Sequence, residues 1–217
     1  MSLLLKVSDL WKTYRGTPVL QGASFTFDEN GICALTGDNG SGKSTFLRIC
    51  ALLEQYDRGA VDYMSHGRLL PRDVELRRRI TLVLPKIGVF NTTVFSNAAY
   101  GLKIRGHERE AIRDRVNREL DFVGLGHKKN QAALTLSSGE TQRLGIARAL
   151  VVNPEMLFLD EPAAFVDARN REIIEEIILR LKKEGRTTII LTTHDRRQAE
   201  RLADRLLVIM NGQITAT

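Results

Sequence analysis

The sequence has few of the features that mark a secreted or membrane-spanning protein. Only two of its 217 residues are cysteines, Cys33 and Cys50. Both lie in apolar segments, so we interpret them as small core residues of a protein in a reducing cytoplasm rather than as a disulfide. No stretch reaches the roughly 18 consecutive apolar residues that a membrane-spanning helix needs. Lys6 interrupts the apolar start at Leu3–Leu5, so we expect no signal peptide and no direct membrane insertion.

Acidic residues are scarce in the middle of the chain, where positive charge accumulates. The formal net charge is +6, and residues 58–118 hold 13 Lys/Arg against 6 Asp/Glu. We interpret this first as a solvated face and second as a surface that faces anionic lipid headgroups or an acidic partner. Because no aromatic-rich basic stripe accompanies the charge, nucleic acid is not expected as a partner.

A glycine-rich turn between a strand-like and a helix-like segment is the most specific feature of the sequence. This turn, the phosphate loop, consists of Gly37, Asp38, Asn39, Gly40, Ser41, Gly42, Lys43, Ser44 and Thr45. Glycines let the backbone turn so that successive N–H groups point at phosphate oxygens, and the positive end of the following helix points to the same place. In such a loop Lys43 reaches the β- and γ-phosphates and the Ser44 hydroxyl ligates Mg²⁺. The sequence therefore predicts binding of a nucleoside triphosphate.

Carboxylates and a histidine follow two further apolar runs. Asp160 and Glu161 come directly after Met156–Leu159, and His194 comes after Ile189–Thr193. Continuous apolar runs indicate buried parallel strands, whose carboxyl ends share one edge of the sheet. A carboxylate there can hold Mg²⁺ through water, and its neighbour can polarise an attacking water. The alternatives are acids that solvate a strand end and an ordinary strand-end histidine.

A second anion site is predicted where another helix begins. Ser137 and Glu140 have the spacing of a capping box, which predicts a helix start. The free N–H groups of this helix, together with Ser137, Ser138 and Gly139, make an anion site. Because the phosphate loop already surrounds phosphates from one side, a second anion site in the same chain suggests that two copies close on a nucleotide between them.

The two motifs in this order resemble the ATP-binding cassette (ABC) family, and the resemblance covers the chain from about Leu5 to about Gly212. The family signature usually reads Leu-Ser-Gly-Gly-Glu/Gln, and Ser138 stands here at its first glycine. In the family, the signature of one subunit completes the nucleotide site of another, so the resemblance implies that Ser138 acts across a homodimer.

The resemblance implies an α/β fold, the ABC cassette of the P-loop NTPases. We expect a mostly parallel sheet core, an N-terminal antiparallel β part and an inserted helical subdomain. Residues 1–217 would form a single ABC ATPase domain, with the core lobe at about 1–89 and 135–217 and the helical subdomain at about 90–134. Seven segments are strand-like: Leu3–Val7, Ala23–Phe27, Ile32–Thr36, Ile80–Leu84, Met156–Leu159, Thr188–Leu191 and Leu206–Met210. Residues 168–183 carry an apolar stripe at helical spacing.

The resemblance also implies roles for single residues. Asp160 takes the metal role and Glu161 the base role, while His194 contacts the γ-phosphate and fixes the water. Tyr14 is expected to stack on adenine, with a plain half-buried strand tyrosine as the alternative. Asp167 matches the loop through which the two subunits of the family communicate.

One position departs from the family pattern. ABC proteins normally carry a glutamine at the end of the strand Ile80–Leu84, where it touches Mg²⁺ and senses the membrane partner. This chain has Pro85 there, and no glutamine occurs between Gln55 and Gln131. Proline has no side-chain oxygen and no N–H. We therefore expect slower hydrolysis and hypothesise that Pro85→Gln raises Mg²⁺-dependent ATPase activity.

Taken as a whole, the resemblance implies the ATPase subunit of a membrane transporter. We expect a homodimer that uses ATP and Mg²⁺, docks on transmembrane permease subunits at the cytoplasmic face of the cell membrane, and couples hydrolysis to solute transport. Residues 89–106 are similar to the corresponding region of tungstate and phosphate importers, which favours an oxyanion such as tungstate. Two alternatives stay open: a soluble ABC ATPase that acts on nucleic acid or ribosomes, and a cassette that binds ATP but hydrolyses it weakly.

Overall fold

The computed structural model describes residues 3–27 and 31–216. The strands are β1 (Leu4–Tyr14), β2 (Thr17–Phe27), β3 (Ile32–Thr36), β4 (Arg58–Ser65), β5 (Arg68–Leu69), β6 (Ile80–Val83), β7 (Met156–Asp160), β8 (Thr188–Thr192), β9 (Arg205–Met210) and β10 (Gln213–Ala216). The α-helices are α1 (Lys43–Cys50), α2 (Val74–Arg78), α3 (Val94–Ile104), α4 (Arg109–Phe122), α5 (Ser138–Leu150), α6 (Ala168–Glu184) and α7 (Arg196–Leu202). None of the helices in these described ranges is both long and apolar enough to span a bilayer.

The predicted N-terminal antiparallel part is confirmed as a four-stranded sheet in the order β2-β1-β4-β5. Arg15 and Gly16 both have positive φ, and they join β1 to β2 as the two-residue turn that suits the twist of a hairpin. The prediction placed only parts of these two long strands and omitted β4 and β5. Asp9, with a φ of 47°, lies at a register shift in β1, so the alternation of apolar residues that marks a strand is interrupted there.

The second sheet has the order β10-β9-β3-β8-β7-β6 and is mostly parallel. Within this sheet the pairs β3–β8, β3–β9 and β7–β8 are parallel, and the β9–β10 pair is antiparallel. Every residue of β3, β7 and β8 is buried, which explains their continuous apolar sequences. β3 matches its prediction to the residue, whereas β7 and β8 each continue one residue further, to Asp160 and Thr192. The predicted strands omitted β10.

The chain divides into two compact units. The first unit takes in residues 1–82, 155–161 and 181–217, and the second takes in residues 83–154 and 162–180. The core of the first unit includes the fully buried side chains of Phe46 and Phe158. In the second unit, α4 and the residue that caps it bury one apolar face, which consists of Ile112, Val116, Leu120 and Val123. The limits of the helical subdomain, at about 90–134, stay a prediction.

Candidate active site

The phosphate loop connects β3 to α1 within the first unit, and two of its glycines are required by the backbone. Gly37 has a φ of 149°, and a Cβ there would lie 2.5 Å from the carbonyl oxygen of Ile209. Gly42, with a φ of 101°, is the N-cap of α1, so Lys43 is the first residue of the helix. The free N–H groups at the start of α1 are therefore available to an anion.

The Lys43 ammonium lies folded against the phosphate loop. Its Nζ donates to the carbonyl oxygens of Gly37 at 2.8 Å and Asp38 at 2.9 Å, and it lies 3.9 Å from Oε1 of Glu161. The Ser41 hydroxyl is buried and has no hydrogen-bond partner among residues 3–27 and 31–216. A buried cation and a buried hydroxyl in one loop are suited to donate hydrogen bonds to the oxygens of a phosphate group.

The other predicted members of the loop differ in exposure. Asp38, Asn39 and Gly40 form an exposed turn, closed by a hydrogen bond of 3.1 Å from the Ser41 N–H to the Asp38 carbonyl oxygen. Thr45 is buried in α1, and its hydroxyl accepts a hydrogen bond of 3.4 Å from Arg48. The direct role of Thr45 in nucleotide binding therefore stays a prediction.

Asp160 and Ser44 form a pair of oxygen donors at the carboxyl edge of the parallel sheet. Oδ1 of Asp160 accepts hydrogen bonds from Ser44 Oγ at 2.9 Å and from Thr192 Oγ1 at 2.7 Å. The described residues contain no group of three or more His, Cys, Asp or Glu that could hold a metal ion. Mg²⁺ is usually held by one or two protein oxygens together with substrate phosphates and waters. The donor pair fits this mode of binding.

Glu161 lies beside this pair in a strained backbone conformation. Its φ is 44°, in the left-handed region that costs a non-glycine residue about 1–3 kcal/mol. Its N–H donates to Thr192 Oγ1 at 3.0 Å. Its carboxylate lies 2.9 Å from Nδ1 of His194 through Oε2, and 3.9 Å from Nζ of Lys43 through Oε1. The structure therefore brings Lys43, Asp160, Glu161 and His194 together within the first unit.

Thr192 was not among the residues singled out from the sequence, although it contacts both acids. It is fully buried at the end of β8, opposite Asp160 in the parallel register. The available signal was a pair of threonines, Thr192 and Thr193, closing an apolar run, because buried hydroxyls need hydrogen-bond partners. The identity of those partners depends on the β7–β8 register, which the sequence alone does not provide.

Tyr14, the predicted adenine platform, ends β1 and is 38% exposed. Its hydroxyl hydrogen-bonds to the Glu54 carboxylate, and the Lys12 ammonium lies 5.0 Å from the ring centroid, within range of a cation–π contact. Glu54 also accepts a hydrogen bond of 2.9 Å from Arg48. The ring is thus held at its hydroxyl end, and its stacking role stays a prediction.

The helix start predicted at Ser137 is confirmed in the second unit. The Glu140 N–H donates to Ser137 Oγ at 3.3 Å, and the Ser137 N–H donates to Glu140 Oε2 at 3.1 Å, completing the capping box. Lys128 lies 2.7 Å from Glu140 Oε1, and its hydrogen bond is the largest cause of the lowered pKa of Glu140. Ser138, the first residue of α5, lines a cavity of about 280 Å³ together with Pro85.

Asp167 and the signature helix, which is α5 beginning at the signature motif, are linked within the second unit through the side chain of Asn170. Oδ1 of Asp167 accepts the backbone N–H of Asn170 at 2.8 Å, and Oδ2 accepts its side-chain amide at 2.8 Å. The backbone hydrogen bond is the largest cause of the lowered pKa of Asp167. Asn170 packs on Gly139 so closely that a Cβ there would lie 2.1 Å from its Cγ. Phe165, two residues before Asp167, is exposed, and the Lys86 ammonium lies 5.2 Å from the centroid of its ring.

Comparison with known proteins places this geometry in a family. The family described as ABC transporter matches residues 20–164. The chain is 36% identical to the tungstate uptake system ATP-binding protein TupC of Peptoclostridium acidaminophilum, over 97% of this chain and 96% of the relative. It is 37% identical to the phosphate import ATP-binding protein PstB 2 of Natronomonas pharaonis, over 97% of this chain and 78% of the relative.

A solved structure agrees with these sequence relatives. The structure of cbiO1 from Clostridium perfringens, part of the ABC transporter complex cbiONQ, matches with a TM-score of 0.87 at 27% identity, over 99% of this chain and 88% of that one. The predicted fold class, ATP binding and ATPase activity are thereby confirmed. The chain belongs to the ABC transporter family, in which it is an ATP-binding and ATP-hydrolysing subunit that drives transport.

Proposed function

We propose that this chain powers the import of an oxyanion such as tungstate. It acts as a Mg²⁺-dependent homodimer docked on transmembrane permease subunits at the cytoplasmic face of the membrane. The relatives named for tungstate and phosphate support the choice of a tetrahedral oxyanion. The observation that carries the catalytic part is the Glu161 carboxylate, which lies between the His194 imidazole and the Lys43 ammonium.

Hydrolysis in this site uses positioning and charge more than covalent chemistry. The Glu161 carboxylate takes a proton from the water that attacks the γ-phosphorus, while the bond to the β–γ bridging oxygen breaks to give ADP and phosphate. His194 orients Glu161 through its 2.9 Å contact. Lys43 moves from the loop carbonyls to the β- and γ-phosphates and neutralises their charge. Ser44 and Asp160 would hold Mg²⁺, which neutralises phosphate charge when bound.

The signature helix and the Asp167 loop act on the nucleotide of the partner copy. The helix start at Ser137–Glu140 offers free N–H groups and the Ser138 hydroxyl to a γ-phosphate. Asn170 hydrogen-bonds to Asp167 and packs on Gly139. A movement of the Asp167 loop would therefore displace the start of α5, and the reverse. A single ABC domain, with a helical subdomain at about 90–134, is the organisation proposed for this arrangement.

Copurification tests the transport role directly. The tagged chain, extracted from its native membrane in mild detergent, should bring down a multispanning membrane protein, because a transport ATPase works on its permease. Mass spectrometry identifies the partner. The same tagged chain, purified in the absence of the membrane fraction, provides the background. Ribosomes or DNA in the specific fraction would contradict the proposal and favour the nucleic-acid alternative.

A weakly hydrolysing cassette is the second candidate, and Pro85 is the observation that favours it. Pro85→Gln supplies a side-chain oxygen where this chain has none, so we expect the Mg²⁺-dependent ATPase rate of the assembled complex to rise. Phosphate release at saturating ATP measures the rate. Pro85→Ala is the matched control, since it removes the ring without adding an oxygen. A Pro85→Gln rate equal to or below that of the original chain would argue against this reasoning.

A further inference from the structure

We propose that Thr192 is a positioning residue for ATP hydrolysis, because its single hydroxyl fixes both acidic residues of the site. The inference rests on the roles proposed above for Asp160 and Glu161. Thr192 is fully buried, so its hydroxyl exchanges no hydrogen bonds with solvent and its two protein partners determine its orientation.

The direction of the two hydrogen bonds follows from the chemistry of the groups. The backbone N–H of Glu161 can only donate, so Thr192 Oγ1 accepts from it, at 3.0 Å. The hydroxyl proton is therefore free to be donated to Asp160 Oδ1, at 2.7 Å. Thr192 Oγ1 thus accepts from the peptide N–H of Glu161 and donates to the carboxylate of Asp160, so the directions of both hydrogen bonds are fixed.

Each bond has its own consequence. Oδ1 of Asp160 accepts from both Thr192 and Ser44, so the orientation of the carboxylate toward the phosphate loop is set by two donors. The bond to the Glu161 N–H stabilises a backbone with a φ of 44°. From that backbone the Glu161 carboxylate reaches Nδ1 of His194 at 2.9 Å. Loss of the hydroxyl would let both carboxylates change direction.

The next residue of the chain provides a matched control. Thr193 is also buried and its hydroxyl also makes two hydrogen bonds, donating to Gln198 Oε1 at 2.7 Å and accepting from the Asp195 N–H at 3.0 Å. These partners belong to the start of α7 and not to the acidic pair. Valine replaces threonine at either position with nearly the same volume, so each substitution removes a hydroxyl without opening a cavity.

The test compares Thr192→Val, Thr192→Ser and Thr193→Val in steady-state ATP hydrolysis. We expect Thr192→Val to lower kcat by about 10- to 100-fold, the usual effect of removing a residue that orients a metal-ligating group. Thr192→Ser keeps the hydroxyl and should restore the rate. Thr193→Val should lose about as much thermal stability as Thr192→Val does, but its kcat should be unchanged. Equal losses of kcat in the two valine variants, or no rescue by serine, would overturn the proposal.

A binding measurement separates orientation from turnover. Affinity for a fluorescent ATP analogue without Mg²⁺ should be the same in Thr192→Val and the original chain, whereas the gain in affinity on adding Mg²⁺ should shrink. An unchanged gain would count against a role for Thr192 in orienting Asp160. If Thr192→Val does not fold, Thr192→Cys makes the same comparison, because a thiol is a weak donor and acceptor.

The base role of Glu161 and the positioning role of Thr192 can be disproved separately. If Glu161→Gln hydrolyses ATP at the original rate, the proposed base is wrong, whatever Thr192→Val does. If Glu161→Gln is inactive and Thr192→Val is as fast as the original chain, the catalytic assignment stands and the role of Thr192 is overturned.

Discussion

Replacing Glu161 with glutamine will stop ATP hydrolysis and leave ATP binding intact. The amide has the same shape as the carboxylate but cannot accept the proton of the attacking water, and a general base contributes about 10²–10⁴-fold to such a step. The phosphate loop and the Ser44–Asp160 pair are unaltered by the change. Phosphate release should therefore fall by that factor while the Kd for ATP stays the same.

The same variant makes the proposed homodimer visible. If ATP binding closes two copies and hydrolysis opens them, blocked hydrolysis should accumulate a dimer when ATP and Mg²⁺ are present. Multi-angle light scattering measures the mass. A Glu161→Gln chain that stays monomeric under these conditions would contradict the composite site.

Glu155→Gln is the control for the loss of a carboxylate next to the same strand. Glu155 precedes β7 and binds Arg79 at 2.6 Å, whereas Glu161 follows the carboxyl end of β7. Removing the Glu155 charge should therefore reduce thermal stability without altering the rate. A comparable loss of hydrolysis in both variants would indicate a general effect of disturbing β7, and the base role of Glu161 would lose its support.

The parts of the site that the sequence predicted are those that depend on neighbours in the chain. The phosphate loop needs a strand, a glycine-rich turn and a helix in succession, and Ile32–Cys50 supplies them in that order. The capping box needs only Ser137 and Glu140 three positions apart. The shared edge of β7 and β8 follows from two buried apolar runs, since parallel strands end at the same side of a sheet.

The parts that were missed depend on residues far apart in sequence. Thr192 lies 32 positions from Asp160 and meets it through strand register, and Tyr14 lies 40 positions from the Glu54 that anchors it. β4 was missed for a local reason, because Gly59 and Asp62 weaken the alternation of apolar and polar residues that marks a strand. In the structure β4 pairs with β1 and β5 on its two sides. Pairing with other strands can stabilise a segment whose own preference is weak.

Lys43→Ala will nearly abolish turnover, and here ATP binding falls as well. Lys43 is the buried cation of the phosphate loop, 5% exposed, and alanine removes the positive charge that we expect to bind the β- and γ-phosphates. Binding of a fluorescent ATP analogue and phosphate release should both fall steeply. Lys86→Ala, which removes an exposed cation in the second unit, is the control and should leave ATP binding by the chain unchanged.

Mixing variants shows whether the two anion sites belong to one pocket across two copies. Ser138→Glu places a negative charge where a γ-phosphate is expected, so this variant and Lys43→Ala should each be inactive alone. In a mixed dimer, one pocket combines the intact Lys43 of one copy with the intact Ser138 of the other, and activity should return. Mixing Lys43→Ala with a chain that carries both substitutions leaves no pocket with a lysine, and nothing should return. Mixed dimers that form without recovering hydrolysis would mean that the signature serves its own chain's phosphate loop.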